Sequence, residues 1–524
     1  MRPKARASIM EGMKKGIATP ITLVVLMVVF TSLLAATSYM ALGSLRGGAS
    51  ERTTYQAFTL AESALEAFPL LAQCGENLPS AYTLEVSGGP TLSATYSYPD
   101  GQTTASPSGG SIKVRAVAEY GGGKATLEQT FQVRCGITGA IPAALTSRPR
   151  VEVKGNAKVV GLDFDSDSGF LPVATASLTE NLNLLSKLEP NTGTFSLSVD
   201  DATLIPTGSY IRIPTGATPK TYRVEGKDGN TLTLTPLFQP GLGDIILPGA
   251  SVEVAPYGVK AYDSSTRTLT LSDARGLVVG QRIRVGSYQG VVESVNVETG
   301  QVEVSWEGPP PTPTQENPTP IPEGTPLVAQ VVGAASSRTI DTSGGGEILH
   351  GSAPNSSLVP TSPDDLFQRV FGMSKEEFRR LFPPVSASSF GGTLRNWEIK
   401  SVQGPLNLTG ATRLCGSGIL VVFGELTVNG TCSQGFQGLI YVAGDYDQQG
   451  NADLRGAVVV EGVADLEGCG PQGGGDDCWT NIAGTQGRQA GGKIEYDPLV
   501  LYRLRVMSQG ITSVSPVSGT WRRL

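Results

Sequence analysis

Glycines recur at a fixed step in the last third of the chain, and no other feature constrains the fold as tightly. They fall at 404/410, 418/424/430, 438/444/450 and 456/462/468, six apart within each set. Gly404, Gly424, Gly444 and Gly462 are 20, 20 and 18 residues apart. Apolar residues follow them at two and four places. One row is Leu420/Val422, Ile440/Val442 and Val458/Val460; the other is Leu406/Leu408, Leu426/Val428, Tyr446 and Ala464/Leu466. Strands that turn every second side chain inward, with glycine at the corners, predict stacked coils of a β-solenoid. Val151, Val153, Gly155, Ala157, Val159 and Gly161 fit the same template. That coil is expected to stack beside the one around Gly404 and Gly410. Residues 147–162 and 397–470 would then form one solenoid, interrupted by an insertion over 163–396.

The insertion repeats internally. Phe195-Ser-Leu197-Ser-Val199 through Gly208 and Ile211-Arg212 aligns at an offset of 72 with Arg267-Thr-Leu269-Thr-Leu271 through Gly280 and Ile283-Arg284. The alternation predicts two small β-barrel-like modules, at about 190–256 and 262–333. A Pro-rich tract over 309–322 reads as an extended loop. Ser362-Pro363-Asp364-Asp365 starts a helix, Ser374 and Glu377 form a capping box, and Pro383-Pro384 stops the second helix. This helical segment, 363–382, is expected to flank the solenoid through Phe367, Val370, Phe371, Phe378, Leu381 and Phe382.

Composition agrees with a β-rich chain. Charged residues are 17% and glycines number 66 of 524. There are 40 Lys and Arg against 47 Asp and Glu, a net charge of −7. This excludes a broadly basic nucleic-acid protein but leaves room for a local basic patch. A single histidine, His350, removes most His-based catalysis and every multi-His metal site.

The N-terminus points to export. Residues 1–16 hold Arg2, Lys4, Arg6, Lys14 and Lys15 against Glu11, and no charge follows from Gly16 to Leu45. That run is long enough to span a bilayer, and the basic flank predicts a cytoplasmic N-terminus. Tyr55, Phe58, Ala61, Leu65 and Phe68 then recur at helical spacing.

The junction Lys14-Lys15-Gly16-Ile17 and the segment Ala57-Phe58-Thr59-Leu60-Ala61-Glu62-Ser63-Ala64 resemble type IV minor pilins of the PilX type. Asp364-Asp365-Leu366-Phe367, Tyr496-Asp497-Pro498 and Gly519-Thr520-Trp521-Arg522-Arg523 extend the likeness to the middle and end. The resemblance implies a leader peptide, 1–16, cut after Gly16 by a prepilin peptidase, with Ile17 methylated as the mature N-terminus. It implies a pilin helix over 17–73, its membrane part 17–45, held in the inner membrane before assembly into a surface pilus. Major pilins carry a glutamate at the fifth mature place, where this chain has Ile21. A subunit lacking that carboxylate suits the filament tip. The chain is also similar to large competence-associated minor pilins with non-pilin insertions. That likeness implies other minor and major pilins as partners, and extracellular double-stranded DNA as the ligand taken up in natural transformation. The alternative is an adhesin or assembly-priming pilin that contacts surfaces, glycans or other minor pilins.

The expected class is therefore mainly β with a long N-terminal helix. A pilin-like α+β head precedes a β-solenoid interrupted by two barrel-like modules. The head, 74–146, has alternating runs at Tyr82–Val86, Leu92–Tyr98, Ile112–Tyr120 and Lys124–Val133. A C-terminal β segment covers 471–524. The cysteines Cys74, Cys135, Cys415, Cys432, Cys469 and Cys478 allow 15 pairings. Proximity favours 74–135, 415–432 and 469–478 as disulfides on the exported side.

Little catalysis is on offer, and the chain reads as no enzyme and as needing no cofactor. Asp445 and Asp447 are the nearest carboxylate pair for a glycan-cleaving alternative. Asp163, Asp165 and Asp167 alternate as calcium ligands do, though without the spacing of an EF-hand. The candidate DNA contacts are Arg148, Arg150, Lys154 and Lys158 on the first coil. Arg212, Lys220, Tyr222, Arg223 and Lys227 belong to the first module, and Arg282 and Arg284 to the second. Arg and Lys would meet phosphates and Tyr would stack on bases.

Overall fold

A computed structural model describes residues 27, 31–33, 49–72, 78–85, 91–101, 110–179, 181–189, 192–215, 218–241, 243–314, 319–409, 412–467, 492–508 and 512–524. Half of the chain is strand and 14% helix. The expectation of a long N-terminal helix is corrected. The longest described helix, α1 (Ala49–Leu71), has 23 residues, and the other helices are shorter. No described helix is long and apolar enough to cross a membrane. Gly16, Ile17 and nearly all of 17–45 lie outside the described residues.

The chain divides into two units: residues 1–105, 111–133 and 514–524, and residues 106–110 and 134–513. In the first, α1 buries Ala57, Leu60, Ala61, Ala64, Leu65 and Phe68. The alanines permit close approach to the sheet. A Cβ added at Gly123 would stand 2.4 Å from the backbone of Thr53. Phe68 packs on Phe131 and Tyr96 at 4.9 and 5.7 Å. The antiparallel strands run Ala81–Glu85, Thr91–Ser97, Gly110–Tyr120 and Gly123–Cys135, within two residues of the expected runs. The last of these is then paired by Thr512–Pro516 and by Arg522–Arg523. The expected C-terminal β segment is thus mixed. It also holds a helix, Pro498–Met507, and its last strands finish the first unit's sheet.

In the second unit, parallel strands curl around one apolar core. Val402, Val422, Val442 and Val460 stand in one ladder column, and Leu406, Leu426, Tyr446, Ala464 and Val151 in another. All nine are buried in the same cluster. The glycine step works through backbone contact. A Cβ at Gly438 would lie 1.9 Å from the carbonyl oxygen of Gly418, and one at Gly456 would lie 2.0 Å from that of Gly438.

The order of coils differs from expectation. The coil of Ala143–Ser147, Arg150–Lys154 and Lys158–Val160 does not stack beside Gly404. It pairs with Asp453–Val460 and Ala464–Glu467 on one side. On its other side it pairs with Val332–Ser336, Thr339–Thr342 and Glu347–Leu349. This additional coil falls inside the expected insertion. The far end of the stack is Thr393–Gln403, whose outer neighbour, Val385–Ser386, covers only its last two residues.

Both modules are six-stranded; the first gains a strand outside its expected bounds, and the first strand of the second begins three residues before its expected start. Leu171–Thr175 joins the first and Val259–Asp263 the second. Bridges Ala176–Val199 and Gly258–Pro326 link the outer strands and close each sheet on itself. The helices α2 (Pro363–Phe371) and α3 (Lys375–Leu381) start at the expected caps. They cover the outward face of the coil with Phe367, Phe371 and Phe378, against Val421, Tyr441 and Val459. The helix α4 (Pro498–Met507) holds the parts of this unit together. Val500, Leu501 and Leu504 pack on the coil, and the Tyr502 hydroxyl donates to Leu204 O of the first module at 3.1 Å. Arg505 donates to the Tyr257 hydroxyl beside the second module at 2.8 Å.

Candidate functional site

The expected DNA contacts lie on the first coil and on the two modules, where Arg212 and Arg284 reach the same loop at Ser168 and at Phe164 and Asp167, and ten of the eleven are cations with partners in the chain. Alternation along Arg150-Val-Glu152-Val-Lys154 points the three charged residues outward while Val151 and Val153 enter the core. Cross-strand register then sets Glu152 in a column with Asp341 on one side and Asp465 and Asp447 on the other. Like charges on adjacent strands repel, and Arg150 and Lys154 offset this. Arg150 bridges Glu152 and Asp341 at 2.5 and 3.1 Å. Lys154 bridges Glu152 and Asp465 at 2.5 and 2.9 Å. Hydrogen bonds to Glu152 and Asp465 hold the Lys154 ammonium above its ordinary range. Burial, with Asp465 nearby, pushes the Asp447 carboxyl up. Lys158 pairs with Glu347 at 2.7 Å. Arg148 donates to the carbonyls of Glu461, at 3.1 Å, and Thr361.

The first module repeats the pattern. Arg212 pairs with Glu253 at 2.5 Å and lies over the Phe170 ring. Arg223 bridges Glu225 and Glu323 at 2.7 and 2.9 Å. Lys227 donates to Ala202 O at 3.1 Å, and Lys220 lies 5.1 Å over Phe238. Tyr222 does not present a ring for stacking. It is fully buried, edge-on to Phe195 and Phe238, and its hydroxyl shares a 2.8 Å hydrogen bond with Thr215. Burial pushes that phenol up to about 12. In the second module Arg282 pairs with Glu307 at 2.9 Å, and Arg284 donates to Phe164 O and Asp167 O.

The carboxylates proposed for calcium serve their own loop. Asp163 accepts from the Ser166 hydroxyl at 2.6 Å and from Asp165 N–H at 3.3 Å, and Asp167 accepts from Gly169 N–H at 3.0 Å. The Ser166 bond leads in holding Asp163 below the usual carboxylate range. Among the described residues no group of three or more His, Cys, Asp and Glu is placed to hold a metal ion. Asp445 accepts from Val463 N–H at 2.7 Å across the corner between coils. His350 is exposed in its loop. Cys415 and Cys432 form a disulfide, and Cys135 is also disulfide-bonded. Cys74, Cys469 and Cys478 lie outside the described residues.

The sequence reading missed two groups. One is a buried cluster under the second module. Arg275 pairs with Asp273 at 2.9 Å, and Arg505 donates to the carbonyl of Arg275. Burial pushes the Asp273 carboxyl up, but Arg275 outweighs it and leaves it lowered. The other is a set of cations without acidic partners. Arg379 and Arg380 lie on α3, Arg395 and Lys400 on Thr393–Gln403, and Arg413 just before Leu414–Phe423. The available signal was local: residues 378–424 hold these five against one carboxylate, Glu398.

Compared with known proteins, the chain matches no family model, no curated protein and no solved structure.

Proposed function

We propose that the chain is a non-enzymatic, minor-pilin-type subunit of a type IV pilus, exported to the cell surface, that binds extracellular double-stranded DNA for uptake. The observation that carries this reading is the path of the chain. A helix packs on an antiparallel sheet, and that sheet is finished by the last residues, so residues 134–513, nearly all of the second unit, are carried as an insertion between two of its strands. This suits a filament subunit that bears an added binding head, and the prepilin-like leader supplies the export route. The pairing of the expected cations directs the DNA reading to other residues of the second unit. The test is retention of two unrelated linear duplexes by the full-length chain in detergent, at low and near-physiological salt. Equal retention of both, lost as salt rises, supports the proposal. No retention at low salt overturns the DNA-binding part of it.

One observation favours the adhesive alternative. In the second module Tyr262, Trp306 and Tyr288 form a half-buried edge-to-face trio, with Trp306 Nε1 donating to the Tyr262 hydroxyl at 3.1 Å. Rings of this kind stack on sugar faces. Glycan-array binding lost on Trp306→Ala would move the assignment to an adhesin.

A further inference from the structure

The strand Thr393–Gln403 ends the stack of coils. Leu414–Phe423 pairs along one side of it. On its outer side only Val402 and Gln403 are paired, by Val385 and Ser386, so no described strand covers 393–401. An uncovered edge leaves backbone N–H groups as free donors. Near its start the strand bulges. Leu394 pairs with Gly416 and Glu398 with Gly418, so three residues stand against one. The bulge holds Asn396 and Trp397 at φ of 52° and 61°, a left-handed backbone that costs energy in residues other than glycine. Arg395 opens the bulge and is exposed, and its N–H is tied back to Glu398 at 2.9 Å. The Trp397 ring lies under Arg503 at 4.8 Å.

Around this edge stand the five cations that have no acidic partner. Arg379, Arg380, Arg395 and Arg413 are exposed and Lys400 is half-buried. None has a side-chain nitrogen within 4.0 Å of a carboxylate oxygen among the described residues. Arg379 lies flat over Phe423 at 4.0 Å, which fixes its guanidinium near the finish of the strand. The Ser401 hydroxyl donates to Phe382 O at 2.6 Å and ties the end of α3 to the same place. Arg395 and Arg413 lie toward the start, on either side of the pair Thr393–Cys415. Arg379 therefore stands near the finish of the strand and Arg395 and Arg413 near its start, a span of roughly 30 Å, close to one turn of duplex. Elsewhere on the coil, Arg150, Lys154 and Lys158 are bound to carboxylates, and the exposed Arg338 and Arg455 stand singly, so this end holds the largest group of cations without an acidic partner among the described residues of the coil.

We propose that this end of the coil is the surface that takes the phosphate backbone of double-stranded DNA. The inference rests on the DNA-binding reading above and assigns it a place. Guanidinium groups grip phosphate with two parallel donors, and N–H groups on the edge that no described strand pairs add further ones. Contact through these groups is with the backbone and independent of sequence.

The test compares three full-length proteins in detergent on one linear duplex across a salt series. R380E/R395E/R413E reverses three exposed cations and spares Arg379, whose ring contact is structural. R150Q/R282Q removes two of the paired cations. The wild type and R150Q/R282Q are expected to bind alike. The triple variant should lose at least about tenfold in affinity, and its salt slope should fall by about three. An unchanged thermal melt keeps the comparison on binding. If the wild type binds DNA and the triple variant binds equally well, the placement is wrong and the DNA reading survives. If the wild type binds no DNA, the DNA reading itself fails. If the triple variant loses a sulfated polysaccharide but no DNA, the strip serves another polyanion and the placement is overturned.

Discussion

Glu128 and Arg522 stand 394 positions apart, yet Nε of Arg522 donates to Oε1 of Glu128 at 2.8 Å. Arg115 holds the other carboxylate oxygen through Nη2 at 2.9 Å. Burial pushes the Glu128 carboxyl up, but hydrogen bonds from Arg522 and then Arg115 outweigh this and hold it below its ordinary range. The last residues of the chain are thereby fastened to the strand Gly123–Cys135, and residues 134–513 of the second unit form an insertion closed at both ends.

That clasp is sensitive to acid. A carboxyl whose pKa is lowered by folding stabilises at pH above its unfolded value, about 4.3, and loses the contribution as pH falls through its folded value. The melting temperature should therefore drop between about pH 5 and about pH 3, and Glu128→Gln should remove part of that dependence. At neutral pH the variant should be about 2 kcal/mol less stable. Parallel pH profiles for the two proteins would refute the assignment.

Glycines in the coil divide into two kinds. At Gly438 an added Cβ meets the Gly418 carbonyl oxygen at 1.9 Å, whereas at Gly430 it meets nothing within 4 Å. Gly438→Ala should cost at least about 2 kcal/mol in urea unfolding, while Gly430→Ala should change stability by less than about 1 kcal/mol.

Under the second module, the buried guanidinium of Arg275 pairs with Asp273, and Arg505 donates to the Arg275 carbonyl. Asp273→Asn leaves Arg275 without its carboxylate, and removing one partner of a buried pair costs about 3–5 kcal/mol. Limited proteolysis should then cut first near the second module. A wild-type cleavage pattern would show that Asp273 does not hold this part in place.

Tyr222 is buried in the core of the first module. Tyr222→Phe should lose about 1 kcal/mol with the Thr215 hydrogen bond. DNA retention should be unchanged in the same gel-shift series that tests the wild type.

The inward rows of the coil were legible because period-two alternation and glycine corners coincide over four repeats. The order of the coils was not, because any parallel strand with that pattern can follow any other. The coil of Val332–Ser336 and Thr339–Thr342 escaped notice because Ala334 and Ile340 stand where its neighbours hold leucine or valine. Tyr222 was misread although it lies two places before Val224, on the inward side of the same strand. The cations show a deeper limit. Arg150 meets Asp341, 191 residues away, and Lys154 meets Asp465, 311 away. Only the cross-strand register reveals such partners, so a count of basic residues selected the paired ones and passed over Arg380, Arg395 and Arg413. The long helix expected over 17–73 rested on apolar composition and spacing, and the longest helix among the described residues is Ala49–Leu71.

The most direct test of the account is site-specific photo-crosslinking of the full-length protein to a linear duplex. A photoreactive residue at Thr393, exposed on the strand Thr393–Gln403, is compared with one at Thr339, exposed at the opposite end of the coil stack. The account predicts DNA adducts from Thr393, lost at high salt, and none above background from Thr339. Adducts from Thr339 alone, or from neither position at low salt, would contradict it.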